Sequence, residues 1–288
     1  MSAMTRCAAV VVVTALAMPG CHRPLPRPDA PWPRIVSFSP ALTDLLFDMG
    51  LGDHVVGVTN YCMLPSGQTD IPAVGDRTRV SAEAILAVKP DVVLIQQNPQ
   101  DFGAVRNIAP AVRIEHVRLE TLLDVAAAVE QVGGIVGRQD LARSQGKAFT
   151  DKIEALRRQA GQQPRAKVLF TLGYERPGTG GAGTFVDEMI TLAGGLNAAA
   201  ERGYTGWPNL NRENILAMAP EVVVCQVAAG QEEQGRQYWQ SFGDLPAVKS
   251  KRVFVVTDRR WTIPSMRSAD LAAQLAEMVR SSDAGQGA

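Results

Sequence analysis

The segment AEAILAVKPDVVLI, Ala82 to Ile95, returns later in the chain as RENILAMAPEVVVC, Arg212 to Cys225. Glu83 aligns with Glu213, Ile85 and Leu86 with Ile215 and Leu216, and Pro90 with Pro220, all at an ungapped offset of 130 positions. Each copy reads as a short helix, a proline that closes it, and a run of β-branched residues bounded like a buried strand. A chain that writes half of a strand-helix-strand unit twice is constrained to fold as two related bodies.

The match extends outward from this core. RIVSF (Arg34 to Phe38) and KVLFT (Lys167 to Thr171) read as first strands, each leading to a helical pattern that ends in glycine, ALTDLLFDMG and TFVDEMITLAGG. VRIEHV and RVFVVT read as further strands before the amphipathic helices TLLDVAAAVEQVGGIVG and SADLAAQLAEMVR. Strands alternating with helices at this spacing imply mostly parallel sheets covered on both faces, hence an α/β fold. Two lobes are expected, over 34–139 and 164–281, each long enough to bury its own core. Between them, 140–163 carries a sparse apolar stripe of Leu141, Phe149, Ile153 and Leu156 and reads as one long helix ended by Pro164. A stiff helix, unlike a Gly/Ser linker, does not favour a large hinge motion.

The first 20 residues have the layout of a signal peptide: Arg6, an apolar run from Ala8 to Met18 broken by Thr14, and a small residue before cysteine. That run is well short of the roughly 20 apolar residues that span a bilayer. MPGC resembles a lipoprotein cleavage box with Cys21 as the lipidated new N-terminus, although Met18 and Pro19 depart from it and ordinary signal cleavage is the alternative. The proline-rich 21–33 then reads as an extended tether holding the body at the outer face of a membrane, so the expected location is periplasmic or the outer envelope. Formal charge is balanced, 29 basic against 29 acidic residues, which removes a general attraction to nucleic acid. The mature body keeps Cys62 and Cys225, which fall in opposite lobes. A disulfide would clamp the lobes together; two free thiols is the favoured alternative.

Motifs for chemistry are sparse. GTGGAG, Gly178 to Gly183, satisfies G-x-G-x-x-G between a strand and a helix, with Glu201 placed for a ribose contact, so a dinucleotide-binding enzyme is a rival reading. Against it, YERP separates the strand from the first glycine, and a secreted protein meets little nicotinamide cofactor. The Lys-Ser/Thr of a P-loop is missing too. His54 and His116, the only histidines of the body, lack metal-ligand spacing, and His116 reads as a core or edge histidine of a strand. No G-x-S-x-G occurs. No enzyme, resident cofactor or metal site is expected.

What remains is a set of polar and aromatic residues just after the strands, where parallel sheets bind ligands. In the first lobe these are Ser39, Tyr61, Cys62, Arg77, and Gln97 with Asn98. In the second they are Tyr174, Glu175, Trp207, Gln226, and Arg260 with Trp261. Aromatics suit a large flat ligand, and arginines suit carboxylates, phosphates or anionic chelates.

The segments RIVSFSPALTDLLFDMG, VVGVTNYCMLP, VGDRTRVSAEAILAVKPDVVL, GWPNLNRENILAMAPEVVV and VFVVTDRRWTIPSMRSADLAAQLAEM resemble the bacterial solute-binding proteins of the cobalamin and ferric-siderophore import class, which serve ABC transporters. They cover Arg34 to Met278. The resemblance implies two Rossmann-like lobes joined by one rigid helix, a ligand cleft between them, small motions on binding, and a monomer that delivers its ligand to a membrane permease and ATPase. It also implies one glutamate per lobe for docking to permease arginines, at Glu83 and Glu213. Ser81 and Asn211 before them read as N-caps, and an acid in the first helical turn is favoured by the dipole alone. Within the class, GVTNYC and GWPNLN are most similar to the cobalamin branch, with Tyr61 and Trp207 at aromatics of the corrin site. The polar GDRTR and IQQNP depart from that branch. They leave an anionic ferric siderophore or haem as the alternative ligand, with Tyr61 a candidate haem-iron ligand. A secreted sensor of the same fold that docks with no permease is a further alternative.

Overall fold

A computed structural model describes residues 33–68, 70–161 and 165–281; Cys21, the expected signal peptide, the tether up to Trp32 and Pro164 lie outside these residues. The first sheet is built from β1 (Ile35–Ser37), β2 (Val55–Gly57), β5 (Val92–Ile95) and β6 (Arg113–His116), after a two-stranded hairpin of β3 (Gly75–Asp76) and β4 (Arg79–Val80). All its pairings are parallel, in the order β2-β1-β5-β6. The second sheet contains β7 (Lys167–Leu172), β8 (Leu196–Asn197), β9 (Val222–Gln226) and β10 (Val253–Val256), in the order β8-β7-β9-β10 and again parallel. The two sheets are topological copies, as the repeat requires.

Helices cover both faces. The first lobe carries α1 (Pro40–Asp48), α2 (Ala82–Ala87), α3 (Gly103–Ile108) and α4 (Leu122–Ile135), and α5 (Gln139–Ala160) crosses to the second. There follow α6 (Phe185–Leu192), α7 (Ala198–Glu201), α8 (Arg212–Met218), α9 (Glu232–Gln240), α10 (Pro246–Lys249) and α11 (Ser268–Arg280). Successive strand residues point to opposite faces. Val36, Val93 and Ile95 therefore pack outward with Ile85, Phe102 and Val105, while Leu169, Val223 and Cys225 do the same with Ile215, Met218 and Trp239. The inner residues Ile35, Val92, Leu94, Val168, Phe170, Val222 and Val224 share one continuous core that runs through α1, α4, α5, α6 and α11.

The repeated segment has a structural job in each lobe. Lys89 and Ala219 both turn left-handed, at φ 48° and 47°, so the helix closes before the proline is reached. The acid after the proline then clips the start of the first strand. Asp91 Oδ2 accepts from Arg34 N at 2.7 Å, and Glu221 Oε2 accepts from Lys167 N at 2.7 Å.

The long helix begins at Gln139 and its last residue is Ala160, with Gly161 following. At 22 residues it spans about 33 Å at 1.5 Å per residue. Its buried stripe is Ala142, Gly146, Phe149 and Ile153, so small residues replace the expected Leu141 and Leu156, which are half-buried. Small residues allow close approach: a Cβ at Gly133 of α4 would lie 2.2 Å from Ala142 Cβ. Helix α5 packs on α4 of one lobe and on α6 and α11 of the other. Further ties cross the seam. Leu122 N donates to Glu188 Oε2 at 2.6 Å, Arg267 Nε to Asp48 Oδ1 at 2.9 Å, and Lys152 Nζ to Asp270 Oδ1 at 2.9 Å.

Candidate functional site

Parallel strands deliver their carboxyl ends to one edge of each sheet, and the residues that follow form the candidate site. In the first lobe β1 runs into Ser39, whose hydroxyl bonds Gln96 Oε1 just after β5. Gln96 Nε2 donates to Leu119 O at 2.9 Å, and Gln97 Nε2 donates to Phe38 O at 3.0 Å. These amides knit the ends of the strands together. Asn98 caps the next turn by accepting from Gln100 N at 3.0 Å. Cys62 sits half-buried beside α1, where its Sγ accepts from Thr43 Oγ1 at 3.0 Å and lies 3.1 Å from Thr59 Oγ1. It is a free thiol, and so is the buried Cys225. Next to Cys62, Tyr61 is 59% exposed. Arg77 is exposed at the tip of the β3–β4 hairpin. Asp76 shapes that tip by accepting from Thr78 Oγ1, Thr78 N and Arg79 N at 2.7 to 2.9 Å, and the Thr78 bonds hold its carboxyl below the usual carboxylate range.

In the second lobe the half-buried Tyr174 follows β7, its ring centre 6.0 Å from that of Tyr238, and Glu175 beside it is exposed. Trp207 is 48% exposed with its ring centre 5.6 Å from Phe185. Gln226, at the end of β9, is 9% exposed and turns its amide to Val227 O. Arg260 follows β10 and is gripped by Asp258, whose two carboxylate oxygens accept from its Nε at 2.9 and 2.8 Å. Trp261 is a correction. At 2% exposure it stacks on Phe170, ring centres 6.2 Å apart, and belongs to the shared core, because the short helical turn Arg259–Thr262 points it inward.

A polar seam joins the two halves of the site, and the sequence reading missed it. Asp44 and Asp48 lie one turn apart on α1, within the electrostatic reach of Arg260 and Arg267 of the second lobe. Burial, and then the like charge of Asp48, raise the Asp44 carboxyl to about 6 against the pull of both arginines. Two aspartates four apart inside an apolar helical pattern were a legible signal.

Glu83 and Glu213 are both exposed in the first turns of α2 and α8. Ser81 Oγ accepts from Ala84 N at 3.2 Å and Asn211 Oδ1 from Asn214 N at 2.8 Å, so both helices are capped by side chains. Each helix precedes a parallel strand, which puts its N-terminus on the edge that carries the strands' carboxyl ends. Neither glutamate forms a hydrogen bond or ion pair among the described residues.

The glycine-rich 178–183 does not form an open phosphate cradle. Its backbone pairs with residues 204–208, through Gly181 N to Gly206 O and Ala182 N to Tyr204 O, both 2.8 Å. His116 is exposed at the end of β6, an edge strand. Among the described residues no cluster of three or more His, Cys, Asp or Glu could hold a metal ion, and no helix is long and apolar enough to cross a membrane. A hollow of about 430 Å³ opens beside Glu175, lined also by Asn209, Arg212 and Tyr238. Another, of about 340 Å³, sits away from the candidate site at the amino ends of the second sheet, lined in part by Arg165, Glu221, Arg252 and Arg280.

The profile of the periplasmic binding proteins matches residues 35–259. The chain belongs to that family. The vitamin B12-binding protein of Salmonella typhimurium is 25% identical over 217 residues, covering 75% of this chain and 80% of the relative. That of Yersinia pestis is 26% identical over 242 residues, 82% and 81% of the two chains. Among solved structures, the vitamin B12-binding BtuF of Vibrio cholerae superposes with a TM-score of 0.73 at 23% identity, covering 87% of this chain and 97% of that one. The haem-binding RhuT of Roseiflexus gives 0.71 at 26% identity, and the haem-binding HutB of Vibrio cholerae 0.75 at 22%; each comparison covers 86% of this chain and 99% of the other. These likenesses place the two-lobed α/β fold in this binding-protein family, with an extracytoplasmic role in ABC import.

Proposed function

We propose that the protein captures a corrinoid between its lobes and delivers it to an ABC permease. The observation that carries this reading is the pair of exposed rings, Tyr61 and Trp207. Each lies on the connection that follows the second strand of its sheet and leads to a capped helix with an exposed glutamate. A flat, largely apolar macrocycle gains from stacking on such rings. The curated relatives that bind vitamin B12, at 25 to 26% identity, support the same ligand. Ser39, Cys62, Gln97, Tyr174, Glu175 and Gln226 surround the strand ends, with Arg77 and Arg260 as the cationic members; Trp261 supports the floor from within the core. Glu83 and Glu213 serve as the acidic contacts for the permease, one per lobe. Cys21 carries a lipid that tethers the monomeric body to the membrane.

Haem is the second reading, supported by haem-binding structural neighbours at TM-scores of 0.71 to 0.75 and by the exposed Tyr61 hydroxyl as an iron ligand. The absorbance spectrum of protein purified from its native envelope separates the two, because corrinoid and haem chromophores absorb at different wavelengths. A corrinoid spectrum is expected. A Soret band that is lost on Tyr61→Phe establishes haem instead.

A further inference from the structure

The glycine-rich segment 178–183 has no role in phosphate binding, yet it is densely tied. Thr179 N donates to Pro208 O at 3.0 Å, next to the two bonds from Gly181 and Ala182. Its own carbonyls are held as well: Asn197 Nδ2 donates to Gly180 O at 2.9 Å and Thr184 Oγ1 to Gly181 O at 2.8 Å. Thr179 Oγ1 donates to Phe170 O at 2.7 Å, anchoring the segment to β7.

Two of its glycines leave no room for a side chain. A Cβ on Gly181 would lie 2.4 Å from Tyr204 O and 2.9 Å from Thr205 N, against backbone that cannot swing aside. A Cβ on Gly180 would lie 2.7 Å from Val186 Cβ and 2.8 Å from Thr184 Oγ1. Gly181 presses against 204–208, the stretch that carries Trp207, while Gly180 presses against Thr184 and Val186 at the start of α6, on either side of Phe185. The same indole is backed by Phe185, which is 2% exposed and whose ring is tilted 45° to it.

We propose that Gly181 and Gly180 are positioning residues for ligand capture, Gly181 letting the segment lie directly on 204–208 and Gly180 letting it lie on the start of α6 that carries Phe185, so that Trp207 is a fixed, one-faced stacking platform. The proposal rests on the reading that the ligand stacks on Trp207. Binding to an aromatic fixed in advance avoids the ordering cost that a mobile side chain would incur.

The test uses the mature chain carrying Trp32→Phe. Its remaining indoles are then the buried Trp239 and Trp261 and the half-exposed Trp207. Gly181→Ala is expected to raise the acrylamide quenching of Trp207 severalfold and to weaken cyanocobalamin binding at least tenfold. Gly180→Ala, which would meet Val186 Cβ and Thr184 Oγ1 and so displace Phe185 behind the indole, is expected to act in the same direction but less, being one contact further from Trp207, and it carries both measurements if Gly181→Ala does not fold. In a Trp207→Ala background, adding Gly181→Ala is expected to change affinity less than twofold, since its effect runs through the indole. Unchanged quenching in a folded Gly181→Ala protein overturns the proposal, and so does an equal loss of affinity with and without Trp207. If Trp207→Ala alone leaves affinity unaltered, the stacking reading fails, and quenching still decides whether the glycines hold the ring.

Discussion

Trp207 and Tyr61 stand out as large rings left 48% and 59% exposed, while Trp239, Trp261 and Phe170 are buried and Tyr174, Tyr204 and Tyr238 are half-buried. On the proposed reading Trp207→Ala weakens corrinoid binding by about 1 to 3 kcal/mol, the usual worth of burying and stacking one aromatic. Isothermal titration of the two proteins measures this, and equal affinities would remove Trp207 from the site. Asp44 yields a pH prediction. Its folded pKa of about 6 exceeds the ordinary aspartate value of 3.8, so the native state binds the proton more tightly, and the stabilising effect of that proton is lost as pH rises from about 4 through 6. Asp44→Asn, which stays neutral, is therefore expected to raise the melting temperature more at pH 8 than at pH 5. The gain is on the order of 1 kcal/mol after allowing for solvent screening and the lost attraction to Arg260. A gain that is larger at pH 5 would contradict the sign. Such residue-level facts were partly legible in the sequence. The exposed rings were found because aromatics in polar loops after strands are out of place. Trp261 was misread because its loop looks the same in sequence, and only the direction of one helical turn decides that it faces the core.

At the scale of elements, the repeat has one job that the fold displays and a second, docking, that is proposed. Its proline and acid build each lobe: Asp91 and Glu221 close the first strand, and Lys89 and Ala219 make the left-handed turn before it. Replacing Ala219 by glycine removes the clash of a Cβ in that conformation and is expected to stabilise the protein by about 0.5 to 1 kcal/mol. Urea unfolding measures it, and a loss of stability would show that the turn is not strained. Its glutamates do nothing comparable for folding, being exposed at capped helix starts where such charges contribute only ~0.3 to 1 kcal/mol. The double replacement of Glu83 and Glu213 by alanine is therefore expected to leave ligand affinity and melting temperature almost unchanged while uptake falls. Reversal to lysine should cut uptake further, since repulsion then replaces attraction at the permease. Normal uptake by the double alanine variant would remove both residues from docking. The offset of 130 positions announced these elements because periodicity and proline survive in the residue string. The carboxylate clips did not announce themselves, since an acid after a proline reads equally well as a solvated turn.

For the whole molecule, the decisive feature is that the inner faces of both sheets feed one core through α4, α5, α6 and α11. A hinge would have to open that core and break the bonds from Glu188 to Leu122 and from Asp48 to Arg267. Small-angle scattering is thus expected to give the same radius of gyration with and without ligand, and a closure of several ångströms would contradict the rigid joint. Sequence showed the two lobes and the helix between them. It did not show the shared core, because the small residues Gly133 and Ala142 that let α4 and α5 meet closely carry little hydrophobic signal. Ligand choice is the property that two-lobed neighbours binding B12 and haem leave open, and titration of the mature protein settles it. Cyanocobalamin, cobinamide, haem and a ferric siderophore are each added while tryptophan emission is followed. Saturable quenching by the corrinoids, with Kd below roughly 10 μM, about −7 kcal/mol, is expected, with no comparable response to haem or siderophore. Tight binding of haem with no response to either corrinoid would contradict the proposed function.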